Sequence, residues 1–240
     1  MVLDLAPRVD ALHHPLLAKP KILTASRLVI VVSTNKGLCG GLNSNLLRFL
    51  AREYPEMQKH RYVALGKKAV YFLSRMAGGR VTADFSDVVP FTGSVAALTS
   101  LAAREYTDGV VSGVDLVYNE FISALKQNPR KKTILPLTIE GIDQSKVKSQ
   151  KSKVHDILME PDPEQVFASL LPHYLENQIR DSLLQAEASE QSARMVAMRS
   201  ATDNATGLMN DLTLVYNKAR QEKITYEITD MVTARMSVQV

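Results

Sequence analysis

The pattern that decides the fold lies in the stretch Met198-Arg-Ser-Ala-Thr-Asp-Asn-Ala-Thr-Gly-Leu-Met-Asn-Asp-Leu-Thr-Leu-Val-Tyr-Asn-Lys-Ala219, where small and apolar residues recur at three- and four-residue steps. The repeating positions are Met198, Ala201, Ala205, Leu208, Leu212, Val215 and Ala219. Such steps place side chains on one face of a helix and are typical of a coiled-coil seam. We therefore predict a helix that packs against a second helix along this seam.

The helix predicted around the seam is too long for a compact domain. From His173 to Ala234 the chain has no proline and one glycine, Gly207. At ~1.5 Å per residue this stretch spans about 90 Å, whereas a compact domain of this length has a diameter of roughly 45 Å. The alternative, a helix lying along its own core, is disfavoured by this length. We predict a projecting shaft rather than the wall of an enzyme pocket.

A second apolar face follows the seam. After Ala219 the phase of the repeat shifts, and Ile224, Ile228 and Met231 form a separate apolar set. Because these residues leave the line of the seam, we expect the last turns of the helix to contact a different surface from the middle turns.

The region before the long helix alternates strand and helix patterns. Leu28-Val-Ile-Val-Val-Ser33 is nearly continuous and β-branched, which is typical of a strand buried on both faces. Further strands are predicted at Arg61–Leu65, Val81–Phe85, Val114–Phe121 and Thr133–Ile139, and helices at Asn43–Ala51, Lys67–Met76 and Val95–Tyr106. Asn43 or Ser44 is expected to cap the first helix. This alternation predicts an open, Rossmann-like α/β sheet, followed by the long C-terminal coiled-coil helix.

Two prolines shape the connection to the long helix. Residues 143–153 are polar and lysine-rich, which predicts a solvated loop. Asp162 is placed to cap a short helix over Pro163–Leu171, and Pro172 is expected in the first turn of the long helix, where proline is tolerated.

Composition narrows the class of protein. The chain has 240 residues with a formal net charge of +4, and its lysines and arginines are scattered among nearly as many acids, so nothing indicates a nucleic-acid partner. A single cysteine, Cys39, excludes an internal disulfide. No secretory signal and no apolar run of ~18 residues is present, so we expect membrane association only through partners.

The glycine-rich turn Ser33-Thr-Asn-Lys-Gly-Leu-Cys-Gly-Gly-Leu-Asn43 is the only enzyme-like motif. Its glycines would free amides for a phosphate, and Lys36 would add charge. The spacing matches neither a dinucleotide-binding nor a P-loop pattern, and no acid follows the second strand. We interpret it as a tight turn that lets the helix pack on the sheet, with a nucleotide-dependent enzyme as the alternative.

No other constellation indicates chemistry. Cys39 has no histidine nearby in sequence, and the histidines lack ligand spacing. Glu187 and Glu190 suit surface ion pairs, such as Glu190 with Arg194, better than acid–base catalysis. We predict no catalytic set, no metal site and no cofactor.

Several collinear motifs carry a family resemblance. They are Val32–Asn43, Leu158–Pro163, Ser189–Arg199, Ala201–Asn204 and Leu214–Gln221 followed by Ile224-Thr225. In this order, from about His14 to Val232, they resemble the gamma subunit of the rotary F-type ATP synthase. The alternative is a truncated gamma-like paralogue that acts as a binding module without a rotary function.

The resemblance implies a non-catalytic central-stalk (rotor) subunit that couples ion-driven rotation to ATP synthesis and hydrolysis. Its implied partners are the alpha and beta subunits of the catalytic head, the epsilon subunit and the c-subunit ring. It would be peripheral on an energy-transducing inner or plasma membrane, on the cytoplasmic or matrix side. Arg220 and Gln221 match positions at which the family's stalk contacts a beta subunit.

The resemblance also implies a domain plan. Residues 1–26 are interpreted as a remnant of the family's N-terminal helix and a linker, because most of that helix has no counterpart before His14. Residues 27–160 are expected to form the α/β domain at the foot of the stalk, and residues 161–240 the long stalk helix.

Overall fold

The computed structural model describes residues 16, 26–78, 80–137 and 162–238. The chain divides into two compact units, residues 1–194 and residues 195–240, which we call unit 1 and unit 2. Unit 1 contains a five-stranded sheet and the helices that cover it, and the described part of unit 2 is helical.

The sheet of unit 1 has the strand order β3-β2-β1-β4-β5. The strands are β1 (Leu28–Val32), β2 (Arg61–Leu65), β3 (Val81–Asp84), β4 (Val114–Phe121) and β5 (Gln127–Leu135). Strands β1 to β4 are parallel, and β5 pairs antiparallel with β4. All five residues of β1 are buried because helices cover both faces, which explains the unbroken apolar run in its sequence.

Helices cover the sheet on its two faces. They are α1 (Leu42–Glu53), α2 (Lys67–Met76), α3 (Val95–Thr107) and α4 (Pro163–Val238), with short 3-10 turns at Met57–Lys59 and Phe91–Ser94. One core cluster joins Val29 and Val31 of β1 to Leu46 of α1 and Leu73 of α2. The other joins the opposite face of β1 to α3 and to the N-terminal part of α4. The predicted open α/β sheet with a long C-terminal helix is confirmed.

The fifth strand lies earlier in the sequence than predicted. We expected Thr133–Ile139, but β5 begins at Gln127 and ends at Leu135. Its start is polar because β5 is an edge strand, where charged residues and Pro129 are tolerated. Lys131 pairs with Glu53 of α1 and Lys132 with Asp181 of α4, so alternate side chains reach helices on opposite faces of the sheet. Residues 138 and 139 lie outside the described part of the chain.

The predicted break at Pro172 is absent. Pro172 lies inside one helix, α4, and does not start a new one. Proline removes one backbone hydrogen bond and costs roughly 3 kcal/mol inside a helix. Burial of Leu171 and Leu175 on both sides of the proline offsets this cost. The start was predicted correctly, since α4 begins directly after Asp162, whose carbonyl accepts from the Val166 amide. The lysine-rich residues 143–153 lie outside the described residues.

Unit 2 is described from Met195 to Val238 and is helical throughout. Every side chain from Met198 to Ser237 is exposed, including large apolar ones. Leu208, Leu212 and Val215, for example, are 60%, 59% and 60% exposed. Because burial of an apolar face normally stabilises a helix, this part of α4 has the surface of a helix that binds a partner.

Candidate functional site

The predicted seam lies on one face of the helix of unit 2. Steps of three and four residues connect its seven positions, and the structure places all of them within uninterrupted helix. The four seam residues larger than alanine, Met198, Leu208, Leu212 and Val215, are among the exposed large hydrophobic residues. The seam is therefore an apolar stripe that is open to a second helix.

The second apolar set is exposed as well. Ile224, Ile228 and Met231 are 46%, 53% and 66% exposed. At about 100° per residue, Ile224 and Ile228 lie well away from the line of Leu212 and Val215. The helix of unit 2 therefore presents different apolar faces along its length.

The side chains of Arg220 and Gln221 are both exposed on this helix. Adjacent residues point about 100° apart on a helix, so the pair lies outside the seam and flanks the sector that Ile224, Ile228 and Met231 occupy. Arginine presents a planar fork of donors, and glutamine presents both a donor and an acceptor. These groups suit carboxylate and backbone groups of a protein partner.

Side chains of the glycine-rich turn bind backbone amides of a neighbouring helix. The Ser33 hydroxyl accepts from the Ala69 amide at 2.8 Å, and the Asn35 side-chain oxygen accepts from the Lys67 amide at 2.9 Å. These amides belong to the first turn of α2, whereas the helix that the glycine-rich turn leads into is α1. Side chains of the turn thus attach α2 to the end of β1, which supports the interpretation of a packing turn.

Asn43 stabilises this turn and does not cap α1. We expected Asn43 or Ser44 at the cap, but the residue preceding α1 is Gly41, with no side-chain capping bond. The Asn43 side chain instead accepts from the Thr34 amide and donates to the Thr34 hydroxyl, at 3.3 and 2.8 Å, and to the Cys39 sulfur at 3.2 Å. Cys39 is buried, as expected for a structural thiol.

A buried ion pair that sequence reasoning missed lies at the start of β1. The Arg27 guanidinium donates to both carboxylate oxygens of Asp115, at 2.5 and 2.7 Å. The Tyr54 and Thr133 hydroxyls also donate to this carboxylate, at 2.6 and 2.8 Å. Asp115 is completely buried, whereas Arg27 keeps 30% of its side chain exposed. The signal available in the sequence was an aspartate inside the apolar strand Val114-Asp-Leu-Val-Tyr118, which requires a cation or several donors.

The surroundings of this cluster shift the pKa values of Asp115, Tyr54 and the neighbouring His60. Burial alone would raise the pKa of Asp115, but the hydrogen bonds from Arg27 and Tyr54 and the charge of Arg27 outweigh burial, so the pKa is lowered. Burial and the adjacent carboxylate raise the pKa of Tyr54. Burial and the charge of Arg27 lower the pKa of His60, whose Nδ1 accepts from the Arg27 amide. The cluster is thus an ionised aspartate held by neutral donors and one arginine, which is a structural arrangement.

Polar contacts also attach α4 to the sheet within unit 1. The predicted pair between Glu190 and Arg194 is present, at 2.5 Å. We expected Glu187 to form a surface ion pair. Instead, its carboxylate accepts a hydrogen bond from the Phe91 backbone amide at 2.7 Å. The hydroxyls of Ser189 and Ser192 donate to the carbonyls of Asn119 and Ala124, each at 3.0 Å.

Within the described ranges, no cluster of three or more His, Cys, Asp or Glu side chains is arranged to bind a metal ion. His60 and His173 are the two described histidines, and His60 packs edge-on against Tyr54 in unit 1. A helix long and apolar enough to cross a membrane is not found in the part of the chain that the structure describes.

Sequence comparisons match nearly the whole chain to known proteins. A sequence profile of the family described as ATP synthase matches residues 1–238. The ATP synthase gamma chain of Heliobacterium modesticaldum is 39% identical over 224 residues, which cover 92% of this chain and 76% of the relative.

Two solved structures share the fold. A chain from the central stalk and c-ring of the Tetrahymena thermophila mitochondrial ATP synthase has a TM-score of 0.56 and 25% identity, with 77% of this chain and 80% of that chain covered. A chain from the Euglena gracilis mitochondrial ATP synthase, solved as OSCP/F1/c-ring in rotational state 3, has a TM-score of 0.63 and 22% identity, with 99% and 84% covered. The family profile and the identity to a gamma chain decide the assignment: the chain belongs to the ATP synthase gamma-chain family.

Proposed function

We propose that this chain is the central-stalk (rotor) subunit of a proton-translocating F-type ATP synthase. Membership of the gamma-chain family, together with the exposed seam on the helix of unit 2, carries this proposal. Its partners are the alpha and beta subunits of the head, the epsilon subunit and the c-ring. The subunit itself catalyses nothing, and it is attached to an energy-transducing membrane through these partners.

In this role the stalk acts because its different faces make different contacts with the catalytic head. A rotor changes the state of a catalytic site only if its faces bind the alternative head conformations with different free energies. The helix of unit 2 has the required asymmetry, because the seam occupies one sector, whereas the set Ile224, Ile228 and Met231 and the pair Arg220 and Gln221 share another. Each orientation therefore presents different chemistry to the head.

The domain plan follows from this role. Residues 27–160 form the sheet domain at the foot of the stalk, and residues 161–240 form the stalk helix. Met198, Ala201, Ala205, Leu208, Leu212, Val215 and Ala219 pack against the second helix of an antiparallel coiled coil. Alanines at three of these positions suit a close approach of the two helices.

The pair Arg220 and Gln221 gives a direct test of the proposed contact with a beta subunit. In the assembled enzyme, the double variant Arg220→Ala/Gln221→Ala is expected to lower ATP hydrolysis and ATP-driven proton pumping by about tenfold, because hydrogen bonds to a charged group contribute about 1.5–3 kcal/mol. Both activities are measured in membrane vesicles, with retention of the subunit verified on gels.

The control is Glu222→Ala, which removes an exposed charge about 160° from Arg220 and about 100° from Gln221 around the helix axis. This control is expected to retain near-normal hydrolysis and pumping. Unchanged activities in the double variant would contradict the assigned contact.

A further inference from the structure

Three segments of unit 1 bind the same short part of α4. Glu187 contacts the 3-10 turn that precedes α3, through the Phe91 amide. Ser189 contacts β4, through the Asn119 carbonyl, and Ser192 contacts the turn between β4 and β5, through the Ala124 carbonyl. These contacts lie within six residues of one another and are the last polar contacts of α4 with the sheet domain before unit 2 begins at Met195.

The three contacts point in different directions around the helix axis. At about 100° per residue, Ser189 and Ser192 lie about 60° apart, and Glu187 lies about 140–160° from both. Rotation of α4 about its own axis would therefore lengthen at least one of the three bonds. Hydrogen bonds weaken steeply when their length or angle changes, so this set resists rotation.

The apolar contacts of α4 resist rotation less specifically. Leu171, Leu175, Ile179 and Leu183 are buried against the sheet and hold the helix on its face. Rolling of α4 would expose this apolar stripe, so these residues also oppose rotation, but apolar contacts tolerate small changes of angle that would weaken a hydrogen bond. The pair between Lys132 and Asp181, at 3.8 Å with 57% of the Asp181 side chain exposed, adds little.

Burial strengthens the polar set. Ser189 is completely buried, and its hydrogen bond to the Asn119 carbonyl is buried as well. The bond from the Phe91 amide to Glu187 is partly buried and involves a charged acceptor, which makes it one of the stronger kinds of hydrogen bond.

We propose that Glu187, Ser189 and Ser192 form a clasp that fixes the rotational register of α4 on the sheet domain and transmits torque between them. These three side chains contact the protein's own backbone and no substrate, so they would act on coupling by holding α4 in position. This inference rests on the proposed rotor function. It adds a specific place in the fold where torque enters the helix.

The test compares two activities in the assembled, membrane-bound enzyme. The variant Glu187→Ala/Ser189→Ala/Ser192→Ala is expected to hydrolyse ATP within about twofold of the wild type, while proton pumping per ATP falls about fivefold or more. The helix of unit 2 still turns in the head, but the register of α4 on the sheet domain is then held by its apolar contacts alone. The conservative variant Glu187→Gln/Ser192→Thr retains the acceptor and the donor and is expected to pump normally.

The ratio of pumping to hydrolysis separates a clasp from a purely structural role. A structural role would lower both activities in proportion to the enzyme that assembles, leaving the ratio unchanged, and this result would overturn the proposal. If the triple variant is not retained in the complex, Ser192→Ala alone supplies the test, because Ser192 is only half-buried and its loss is expected to lower the ratio measurably. An unchanged ratio in that variant also overturns the clasp.

Failure of the clasp is distinguishable from failure of the rotor function. If the wild-type chain neither joins alpha and beta subunits nor supports pumping, the rotor function is wrong. If the wild type pumps and the clasp variant has the same ratio, only the clasp is wrong.

Discussion

Arg27→Met is expected to destabilise unit 1 by about 3–5 kcal/mol, because it leaves the completely buried Asp115 carboxylate without its cation. The hydroxyls of Tyr54 and Thr133 continue to donate to the carboxylate but cannot replace a positive charge. The measurement is urea unfolding of the full chain, followed by near-ultraviolet circular dichroism, to which the buried Tyr62 and Tyr118 contribute. Arg48→Met is the matched control at an exposed arginine and is expected to cost less than about 0.5 kcal/mol.

A second variant separates the lost charge from the lost side chain. Arg27→Met/Asp115→Leu removes the carboxylate as well as the guanidinium and is expected to recover part of the stability, since an apolar replacement of a buried pair is often neutral. A cost below about 1 kcal/mol for Arg27→Met alone would show that the pair contributes little.

Acid pH gives an independent check of the same cluster. The pKa of Asp115 is lowered in the folded protein, so its contribution to stability is present above the unfolded-state value near 3.9. That contribution is lost as pH falls through the lower folded-state pKa. The stability difference between the wild type and Asp115→Ala is therefore expected to shrink below about pH 4, and a difference that is constant with pH would contradict the assignment.

Gly66→Ala is expected to cost roughly 3–5 kcal/mol, for a different reason. Gly66 has a φ of +89°, and a Cβ atom there would lie 2.5 Å from the Ser33 carbonyl oxygen, which belongs to the backbone and has no freedom to move away. The substitution therefore combines backbone strain with a steric clash between the loops that follow β1 and β2. A large fall in the thermal midpoint of unit 1 is the expected observation.

Gly41→Ala is the matched control for this variant. Gly41 lies in the neighbouring glycine-rich turn, and a Cβ atom there would make an ordinary contact of 3.5 Å with the Asn45 side chain. It is expected to change stability by less than about 0.5 kcal/mol. Equal effects of the two substitutions would mean that the geometry assigned to Gly66 is wrong.

The elements with a strong local pattern were predictable from the sequence. Strand β2 and helix α2 begin and end at the predicted residues, because Gly66 separates a short apolar run from a segment with three-to-four-residue periodicity. The same holds for β4, although its aspartate contradicts the apolar pattern.

Other features depend on contacts between distant residues. The polar start of β5 is compatible with a strand because β5 lies at the edge of the sheet, where Glu53 and Asp181 lie opposite its lysines. The continuous helix through Pro172 depends on the burial of its leucine neighbours. Likewise, Arg27 and Asp115 are 88 residues apart, and their pairing becomes visible only when β1 and β4 are placed side by side.

Some of the functional residues could be predicted from the sequence, and others depend on contacts between distant segments. The seam follows from sequence periodicity, and Arg220 and Gln221 come from the family resemblance. The contacts of Glu187, Ser189 and Ser192 involve backbone groups of other segments, so no sequence pattern identifies them. Glu187 was predicted to be a surface residue because an acid on a long helix usually is one.

The most direct test of the central claim is observation of rotation in single molecules. This chain is combined with the alpha and beta subunits of its own organism, the head is fixed to a surface, and a bead is attached through a tag in the sheet domain. We expect a stable complex in which ATP drives unidirectional rotation of the bead. A stable complex that hydrolyses ATP while the bead stays still, or no complex at all, would contradict the claim that this chain is the rotor.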